Sequence, residues 1–465
     1  MTQDGQMNGT SDAAARILRD AFTGAVHLPG DQPWDTARLA WMRGVDSRPA
    51  IVAEAAGPED VRAGVLAARE HGLPFAVQST GHGAVLPSDG GLLLTTSRMA
   101  EVTIDPGSRT ARVGPGAVWA DVIAAAAPHG LAPLSGTPSI GATGFTLGGG
   151  IGWLSRRYGF AADSLLSADL VTADGRLVTA TADDHPDLHW ALRGGSGNFG
   201  VVTSMEVRLH PVARVHAGMA LYPVGRAREV LACYREWAQE EPDELSTALL
   251  LMRMPPFPGV PEPLRGKQFL ALRACFAGSS EEAERHLKPL RDAAGQPVVD
   301  SIGPMEFARS GAAITGPPPP PMVARQQIDL FRTLPDEMLE TIVEAAGEGA
   351  ASPLMSSVEI RHWGGAMARP DADAGPAGHR DVPFSVITTA MVGTPEQQVT
   401  VDAWVDGLTD RLRPHATGGT FLNFLTDPAR TRSAFTAANW ARLVEVKRTW
   451  DGDNFFRLNH NIPPN

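Results

Sequence analysis

The sequence GATGFTLGGGIG spans residues 141–152 and has glycine at six of its twelve positions. A flexible linker with this much glycine would be filled with serine and charged residues, yet this segment carries Phe145, Leu147 and Ile151. The apolar side chains indicate that the segment is buried. A buried glycine-rich loop leaves many backbone N–H donors in need of partners, and we expect a phosphate-bearing cofactor to supply the acceptors.

A second glycine-rich segment lies upstream, directly after a predicted strand, and reads QSTGHGA over residues 78–84. Small residues there allow backbone N–H groups to point into one space, which forms a nest for anionic oxygens. His82 stands between two glycines, so its imidazole can approach a flat ligand closely. Taken alone, however, the segment is better explained as a plain turn with a solvent-exposed histidine.

The third glycine-rich segment, GSGNFG at residues 195–200, matches the letters of the dinucleotide fingerprint G-x-G-x-x-G. That fingerprint requires a strand before the glycines and a helix after them. Here a predicted helix precedes the glycines and the β-rich residues 201–203 follow, so a Rossmann site is rejected. The P-loop, zincin and α/β-hydrolase patterns are also absent from the sequence.

Around these segments the chain divides into regions of different texture, which predicts an α+β fold. Residues 1–212 alternate short strand and helix signals at close spacing. Residues 213–414 favour longer strands separated by helices, which indicates an antiparallel sheet covered by helices. The strands are predicted at 249–254, 269–276, 355–363 and 383–392, and a capping box at Ser279 begins one helix. Five prolines at 317–321 favour a stiff surface loop over a recognition ligand.

Composition and charge exclude several classes of function. The 465 residues carry a formal net charge of −12, which repels phosphate backbones, so nucleic acid and anionic membranes are not expected partners. Only Cys233 and Cys275 are present and no CxxC occurs, so we expect neither a disulfide framework nor a cysteine-built metal site. The 13 histidines leave a metalloenzyme as a weak rival. Without a signal peptide or an apolar run of about 18–20 residues, a cytoplasmic protein is expected.

Five motifs, taken in order, resemble those of the FAD-binding oxidoreductases of the vanillyl-alcohol-oxidase type. They are STGHG at 79–83, the loop at 141–152, SRRYG at 155–159, the stretch at 194–202 and NHN at 459–461. The nearest branch is berberine-bridge-enzyme-like, with its bacterial 6-hydroxynicotine-oxidase and polyketide-tailoring relatives. The resemblance implies a two-lobed FAD-binding domain of the PCMH type in residues 1–212, with its core at about 45–212. It also implies a substrate domain at 213–414 and a C-terminal segment, 415–465, that returns to the FAD domain.

The same resemblance implies that FAD is covalently held, through a bond between His82 and the 8α-methyl carbon of the flavin. Many relatives add a second link through a cysteine, but here Thr137 stands at that position and a single link is expected. The residues expected to bind FAD are Gln78, Ser79, Thr80, Gly81, His82, Gly83, Thr137, Gly141, Thr143, Gly144, Gly148, Gly149, Gly150, Gly197, Asn198, Gly200, Val201, Val202, Asn459 and Asn461.

The candidate catalytic residues are Glu359, Asn423 and His460. The chain has only three tyrosines, and FLNF at 421–424 replaces the Y-x-N-Y of relatives, so a carboxylate or histidine is expected to move protons. Glu359 and Arg361 share one face of a predicted strand. If that face looks at the substrate, a buried carboxylate there could accept a proton; a Glu359–Arg361 pair on a solvent face is an equal alternative. His460 stands where a glutamine is common, and a packing role is favoured over contact with flavin or substrate.

The resemblance finally implies an FAD-dependent oxidoreductase, expected to be an oxidase with O2 as electron acceptor. The expected reaction is hydride transfer to flavin N5 from a small alcohol, amine or polyketide-like compound of secondary metabolism. Ile140 stands at a position thought to govern oxygen access, which is often smaller in relatives, so a dehydrogenase with another acceptor stays open. The missing tyrosines leave a flavin-binding protein without turnover as a further alternative.

Overall fold

A computed structural model of the protein describes residues 3–317 and 320–465. Within these residues the strands form three sheets, and helices pack on each of them. The predicted α+β class is confirmed. Pro318 and Pro319, in the middle of the proline run, lie outside the described residues.

The first sheet is small and mostly parallel, with the strand order β1-β2-β4-β3. Its central strand reads LLLT and is buried throughout, as expected for a strand that is covered on both faces. Helices α1 (Gln3–Ala21) and α3 (Pro58–Glu70) supply part of that cover. The strands are β1 (Ala25–His27), β2 (Ile51–Glu54), β3 (Phe75–Gln78) and β4 (Leu92–Thr95), and a short helix, α2 (Trp34–Ala37), follows β1.

The second sheet is antiparallel, with the strand order β5-β6-β9-β7-β8. It contains two hairpins, one formed by β5 and β6 and the other by β7 and β8. Its apolar face packs with helices α4 (Trp119–Ala126) and α7 (Pro186–Leu192). Between β6 and β7 the chain forms two short helices, α5 (Ala142–Leu147) and α6 (Ser155–Tyr158). The strands are β5 (Val102–Asp105), β6 (Thr110–Val113), β7 (Leu165–Val171), β8 (Leu177–Thr181) and β9 (Val201–Arg208).

The third sheet is the large antiparallel sheet predicted for the middle of the chain. Its order is β13-β10-β12-β11-β16-β17-β15, with β14 also paired to β10. The four predicted strands correspond to β11, β12, β16 and β17, whereas β10 and β15 were not foreseen, since β15 reads VARQQIDLF without clean alternation. The strands are β10 (Arg214–Pro223), β11 (Leu245–Arg253), β12 (Gln268–Phe276), β13 (Val299–Asp300), β14 (Gly303–Glu306), β15 (Val323–Phe331), β16 (Ser356–His362) and β17 (Phe384–Val392).

Helices cover one face of the third sheet and leave the other face for the site. Leu249, Leu251 and Ile360 point into a core shared with the covering helices, so their strand neighbours must point the opposite way. One of these helices begins at the predicted capping box, where Ser279 Oγ accepts from Glu282 N–H at 3.3 Å. The helices of this region are α8 (Ala227–Trp237), α9 (Ser280–Ala294), α10 (Phe307–Thr315), α11 (Asp336–Ala346) and α12 (Pro395–Leu412).

The last residues of the chain pack against the first two sheets. Helix α13 (Ala437–Trp450) places Leu443 in the same core as Phe199, and the Phe455 ring stacks on Phe75 at 5.1 Å. Lys447 is fully buried and donates to the carbonyl oxygen of Asn198 at 2.8 Å. The C-terminal segment therefore contacts the N-terminal region, while the exact domain boundaries at 212 and 414 stay a prediction.

Among the described residues, no helix combines the length and the apolar character that crossing a bilayer requires.

Candidate cofactor and active site

A cavity of about 640 Å³ is lined by all three glycine-rich segments and by the uncovered face of the third sheet. This volume is within the usual range for small-molecule and cofactor sites. We call the cavity-lining residues of 78–83, 140–152 and 196–202 the glycine wall. The cavity-lining side chains of β11, β12, β15, β16 and β17 are called the roof.

His82 belongs to the glycine wall and is held from two sides. Its ring stacks on Trp41, with 4.3 Å between centroids and 14° between planes, and its Nδ1 shares a 2.8 Å hydrogen bond with Thr80 Oγ1. Burial lowers the pKa of His82 to about 4, because removal from water disfavours the charged imidazolium. The imidazole is therefore neutral at neutral pH.

Gly81 allows the close approach that brings Trp41 onto this turn. Its φ is +75°, and a Cβ built there would lie 2.6 Å from Ala40 Cα, so any other residue would be both strained and obstructed. The backbone of Trp41 donates to the carbonyl oxygen of Thr80 at 3.0 Å. The glycine thus fixes the stacking partner of His82.

The segment 141–152 is buried, as its apolar residues predict, but part of it is helical. Residues 142–147 form α5, although glycine disfavours helix interiors; packing of Phe145 and Leu147 into the core accompanies this local structure. Asn423 fastens the loop that follows: its Oδ1 accepts from Gly150 N–H and its Nδ2 donates to the carbonyl oxygen of Phe145, both at 2.9 Å. Gly149 and Gly150 are consequently behind the cavity surface rather than on it.

The glycine wall has the features that an FAD molecule requires. Ser79 Oγ and Thr143 Oγ1 are buried without a hydrogen-bond partner among residues 3–317 and 320–465. A Cβ built on Gly83 or Gly144 would meet no atom within 4 Å. Hydroxyl donors without acceptors, next to exposed glycine backbone, fit a ligand that brings many acceptor oxygens.

The third glycine segment and the C-terminal tail meet at the same cavity, but not with every predicted residue. Gly197, Gly200, Val201, Val202 and Asn459 line it.

Two other residues predicted to bind FAD do not line the cavity. Asn198 is completely buried and turned inward, where its Nδ2 donates to the carbonyl oxygens of Gly195 and His460, both at 2.9 Å. Asn198 therefore joins the glycine segment to the C-terminal tail. Asn461 likewise does not line the cavity, although its Oδ1 is buried without a partner in the described chain.

The roof carries charged side chains that β-sheet register brings together. Ala248 of β11 is opposite both Arg361 of β16 and Arg273 of β12. Glu359 reaches between them: its Oε2 accepts from Arg273 Nη1 at 3.1 Å and its Oε1 from Arg361 Nε at 3.0 Å. The Arg361 guanidinium also lies over the Trp153 ring, 4.8 Å from its centroid.

This arrangement bears on both alternatives considered for Glu359. The side chain is only 10% exposed and lines the cavity, so the Glu359–Arg361 pair does not face solvent. Nor is the carboxylate isolated, because two guanidinium groups bind it. Burial, with the nearby Arg361 charge adding to it, lowers the pKa of Arg273, and the Glu359 carboxylate opposes that shift.

His460 lies in the cavity lining and is buried. Burial lowers its pKa to about 4, so the ring is neutral at neutral pH. None of the three tyrosines, all of which the structure describes, lines the cavity.

Thr137 lines the cavity, whereas neither cysteine does. Cys275 is buried in β12, and burial raises the pKa of its thiol to about 12. Within the described residues, no cluster of three His, Cys, Asp or Glu side chains could hold a metal ion.

Three residues of the site were missed by sequence reasoning. Arg273 had a signal, since it is a single charge within the apolar run FLALRACF, and such a residue is costly to bury without a partner. Trp41 and Trp153 had none, because their contacts depend on how distant segments pack.

Comparison with known proteins agrees with this geometry. Residues 49–181 match the family described as FAD binding domain, and residues 420–463 match the family described as berberine and berberine like. The chain is 29% identical to (R)-6-hydroxynicotine oxidase of Paenarthrobacter nicotinovorans, covering 96% of this chain and 97% of that one. It is 27% identical to an FAD-linked oxidoreductase of Dictyostelium discoideum, covering 96% of each. The crystal structure of 6-hydroxy-D-nicotine oxidase from Arthrobacter nicotinovorans superposes with a TM-score of 0.81 at 27% identity, over 96% of this chain and 98% of that one.

The protein is therefore an FAD-dependent oxidoreductase. Both matched regions and the full-length relatives narrow this class further. The chain is similar to the berberine-bridge-enzyme-like branch of the FAD-binding oxidoreductases, in both matched regions and along nearly its whole length.

Proposed function

We propose that this protein is an oxidase that carries FAD on a single covalent bond to His82 and oxidises a small organic molecule in the cavity beneath the roof. The observation that carries the proposal is the state of His82: a neutral imidazole, stacked on Trp41 and hydrogen-bonded to Thr80, on a wall rich in glycine. A neutral ring nitrogen has the lone pair that bond formation to the flavin 8α carbon needs. The 8α carbon and the imidazole would each give up a proton, and the two electrons released would pass to the flavin ring and then to O2.

The glycine wall would hold the cofactor. Ser79 and Thr143 offer buried hydroxyl groups without partners in the described chain, and Gly141 leaves room beside them. Asn459, whose Nδ2 donates to the carbonyl oxygen of Gly197 at 3.1 Å, is proposed to contact the flavin side of the cavity. Because no cysteine lines the cavity, the proposal includes no second covalent link.

When bound, FAD supplies a two-electron acceptor that takes a hydride from a substrate carbon. The residues of the chain bind and orient the substrate and accept its proton. Glu359 is the proposed proton acceptor, since it is the only carboxylate among the described cavity-lining residues. Asn423 is proposed to act indirectly, because both ends of its amide hold the loop at 145–150.

The proposed substrate class is based on what a full-length relative oxidises. One full-length relative is an oxidase of 6-hydroxynicotine, a small organic compound. We propose a substrate of comparable kind: an alcohol, amine or polyketide-like compound of secondary metabolism. We also propose that O2 reoxidises the enzyme.

Acid precipitation tests the covalent link. The native protein should give a yellow pellet, because a covalent flavin cannot be washed away. His82→Ala should give a colourless pellet, whereas His129→Ala, which removes an exposed histidine, should not change the colour. A colourless pellet from native protein that is yellow in solution would refute the link.

The electron acceptor needs a separate experiment, because Ile140 lines the cavity and a side chain of this size could hinder O2. Chemically reduced protein is mixed with air-saturated buffer while the visible absorbance is followed. Rapid return of the absorbance supports the oxidase. A slow return that an artificial electron-acceptor dye accelerates supports the dehydrogenase alternative, and Ile140→Val should then speed the reaction with O2.

Turnover itself is tested by anaerobic mixing with a panel of alcohols, amines and polyketide-like compounds. Bleaching of the yellow absorbance by any of them excludes a flavin-binding protein without activity. Glu359→Gln should slow that bleaching if the carboxylate takes the substrate proton, and should leave it unchanged if the proton leaves by another route.

A further inference from the structure

The cavity wall has one positive charge that no other lining group offsets. Among the described residues that line it, the charged ones are Arg273, Glu359 and Arg361, which gives two cations and one anion. His82 and His460 also line it, but burial lowers both pKa values to about 4, so both are neutral at neutral pH. The roof therefore contributes a net charge of +1 to an otherwise uncharged lining.

The two guanidinium groups also have more donors than their carboxylate can accept. A guanidinium carries five N–H donors. The hydrogen bonds to Glu359 use Nη1 of Arg273 and Nε of Arg361, and Nη2 of Arg361 forms an ion pair with Glu359 Oε1 at 2.7 Å. Arg273 Nε is buried without a hydrogen-bond partner in the part of the chain that the structure describes. Buried donors without acceptors cost free energy, which a bound anion would recover.

The position of the arginines is set before any ligand arrives. Ala248, which is fully buried, lies between them in the sheet and is the register partner of both. The Arg361 guanidinium lies over the face of the Trp153 ring, and Glu359 binds both guanidinium groups. A preformed pair of donors binds an anion without a further ordering cost.

Apart from the two arginines and Glu359, the roof carries apolar side chains and the neutral polar side chains of Gln326, Ser357 and Thr389. Leu250, Met252, Ile387 and Phe424 line the cavity, and these side chains cannot pair with polar groups. The cavity thus combines one anion-binding patch with walls that suit a hydrophobic body.

We propose that the substrate is an organic anion: a largely apolar, flat molecule whose carboxylate or acidic enol or phenol oxygen binds Arg361 and Arg273. This inference rests on the proposed function, since it takes this cavity as the place of oxidation. In this arrangement Glu359 serves as the counter-charge that keeps the two guanidinium groups together in a buried site.

Binding of a probe pair tests the proposal without knowledge of the natural substrate. 2-Naphthoate and 2-naphthamide have the same flat body and differ in charge. Isothermal titration calorimetry on the FAD-loaded protein should give an affinity for 2-naphthoate about tenfold or more above that for 2-naphthamide, as expected for a charge-assisted hydrogen bond. Equal affinities, or tighter binding of the amide, would overturn the proposal.

Two substitutions should move this preference in opposite directions. Arg361→Gln leaves a neutral Arg273–Glu359 pair, so the preference should fall to about twofold or less, since the charge-assisted contact is gone. Glu359→Gln raises the net charge of the roof to +2, so naphthoate should bind more tightly. A merely structural salt bridge would not give opposite signs. Arg332→Gln is the matched control, because Arg332 follows β15 but is 62% exposed and pairs with Asp381.

The same measurement on FAD-free protein separates two sources of negative charge. A preference for naphthoate that is present without FAD and vanishes when FAD is bound would mean that the arginines take the cofactor phosphates, and this too overturns the proposal. If the protein binds no FAD at all, the proposed function fails, while the naphthoate preference still reports whether the roof selects anions.

Discussion

The glycine wall and the roof line the same cavity, yet they present different chemical groups to it. The glycine wall presents backbone, hydroxyl groups and a neutral imidazole, and it comes from short continuous segments. The roof presents two guanidinium groups and a carboxylate, and the pair Arg273–Glu359 joins residues 86 positions apart. Only the roof carries charge among the described lining residues.

This difference shows how one cavity can separate two tasks. Neutral hydroxyl groups and glycine backbone can approach a large cofactor at many points without a strong charge to desolvate. Charged groups cost much more to bury, and they persist in the roof because each has a partner within hydrogen-bond distance. We infer that the neutral glycine wall holds the cofactor and that the charged roof selects the substrate.

Removal of the carboxylate from the roof should have the largest effect on stability. Glu359→Ala leaves two buried guanidinium groups side by side, so we expect a loss of about 3–5 kcal/mol in the free energy of unfolding, measured by urea denaturation. Glu229→Ala breaks an exposed pair with Arg226 and should leave the urea midpoint close to the native value. Similar midpoints for the two variants would mean that the roof charges are solvated rather than paired.

Substitution in the glycine wall should cost less, and by strain rather than charge. Gly81→Ala places a Cβ at φ +75° and 2.6 Å from Ala40 Cα, for which we expect about 1–3 kcal/mol by thermal or urea unfolding. The control Gly83→Ala meets no atom within 4 Å and should unfold like the native protein. If both alanines are tolerated equally, the close contact of Trp41 with this turn is not formed in solution.

Asn423 connects the C-terminal segment to the glycine wall. Removal of its side chain should lower the free energy of unfolding by a similar amount to Gly81→Ala, or by less. Asn423→Ala removes hydrogen bonds to Gly150 N–H and to the Phe145 carbonyl oxygen, with an expected cost of about 1–2 kcal/mol. Asn439→Ala, which removes a single bond to the Pro376 carbonyl oxygen, is the control. Unfolding in urea, followed by flavin fluorescence, would reveal whether FAD is also held less firmly.

A change of pH within the neutral range should have the smallest effect of all, and the property it concerns is the rate at which FAD becomes attached. Because burial lowers the pKa of His82 to about 4, the ring stays neutral from pH 8 to 5, and the rate of covalent incorporation into FAD-free protein should be flat there. It should fall as the pH approaches 4 and the ring becomes protonated. A midpoint near the ordinary histidine value of about 6.5 would show that the wall does not shield the ring.

The sequence made the glycine wall predictable because its residues are neighbours along the chain. The segment at 141–152 could be interpreted from its local pattern, whereas the motif at 79–83 taken alone favoured a plain turn and gained its role only from the family resemblance. The two segments meet at one cavity. The helical turn at 142–147 was not predicted, since glycine lowers helix propensity and only tertiary packing compensates for it. Asn198 was assigned to the cofactor, whereas its amide joins backbone segments that are distant in sequence.

The roof was predictable only in part, because register between strands is a long-range property. The shared face of Glu359 and Arg361 follows from strand periodicity. Their meeting with Arg273 depends on the pairing of β12, β11 and β16, which no local pattern specifies.

Intact-mass spectrometry of the denatured protein tests the central claim most directly. The native chain should be heavier than its sequence by one FAD, with the added mass on the peptide that contains His82, while His82→Ala should bind FAD in its folded state and show the unmodified mass after denaturation. An unmodified mass for yellow native protein, or added mass that remains on His82→Ala, would contradict the account.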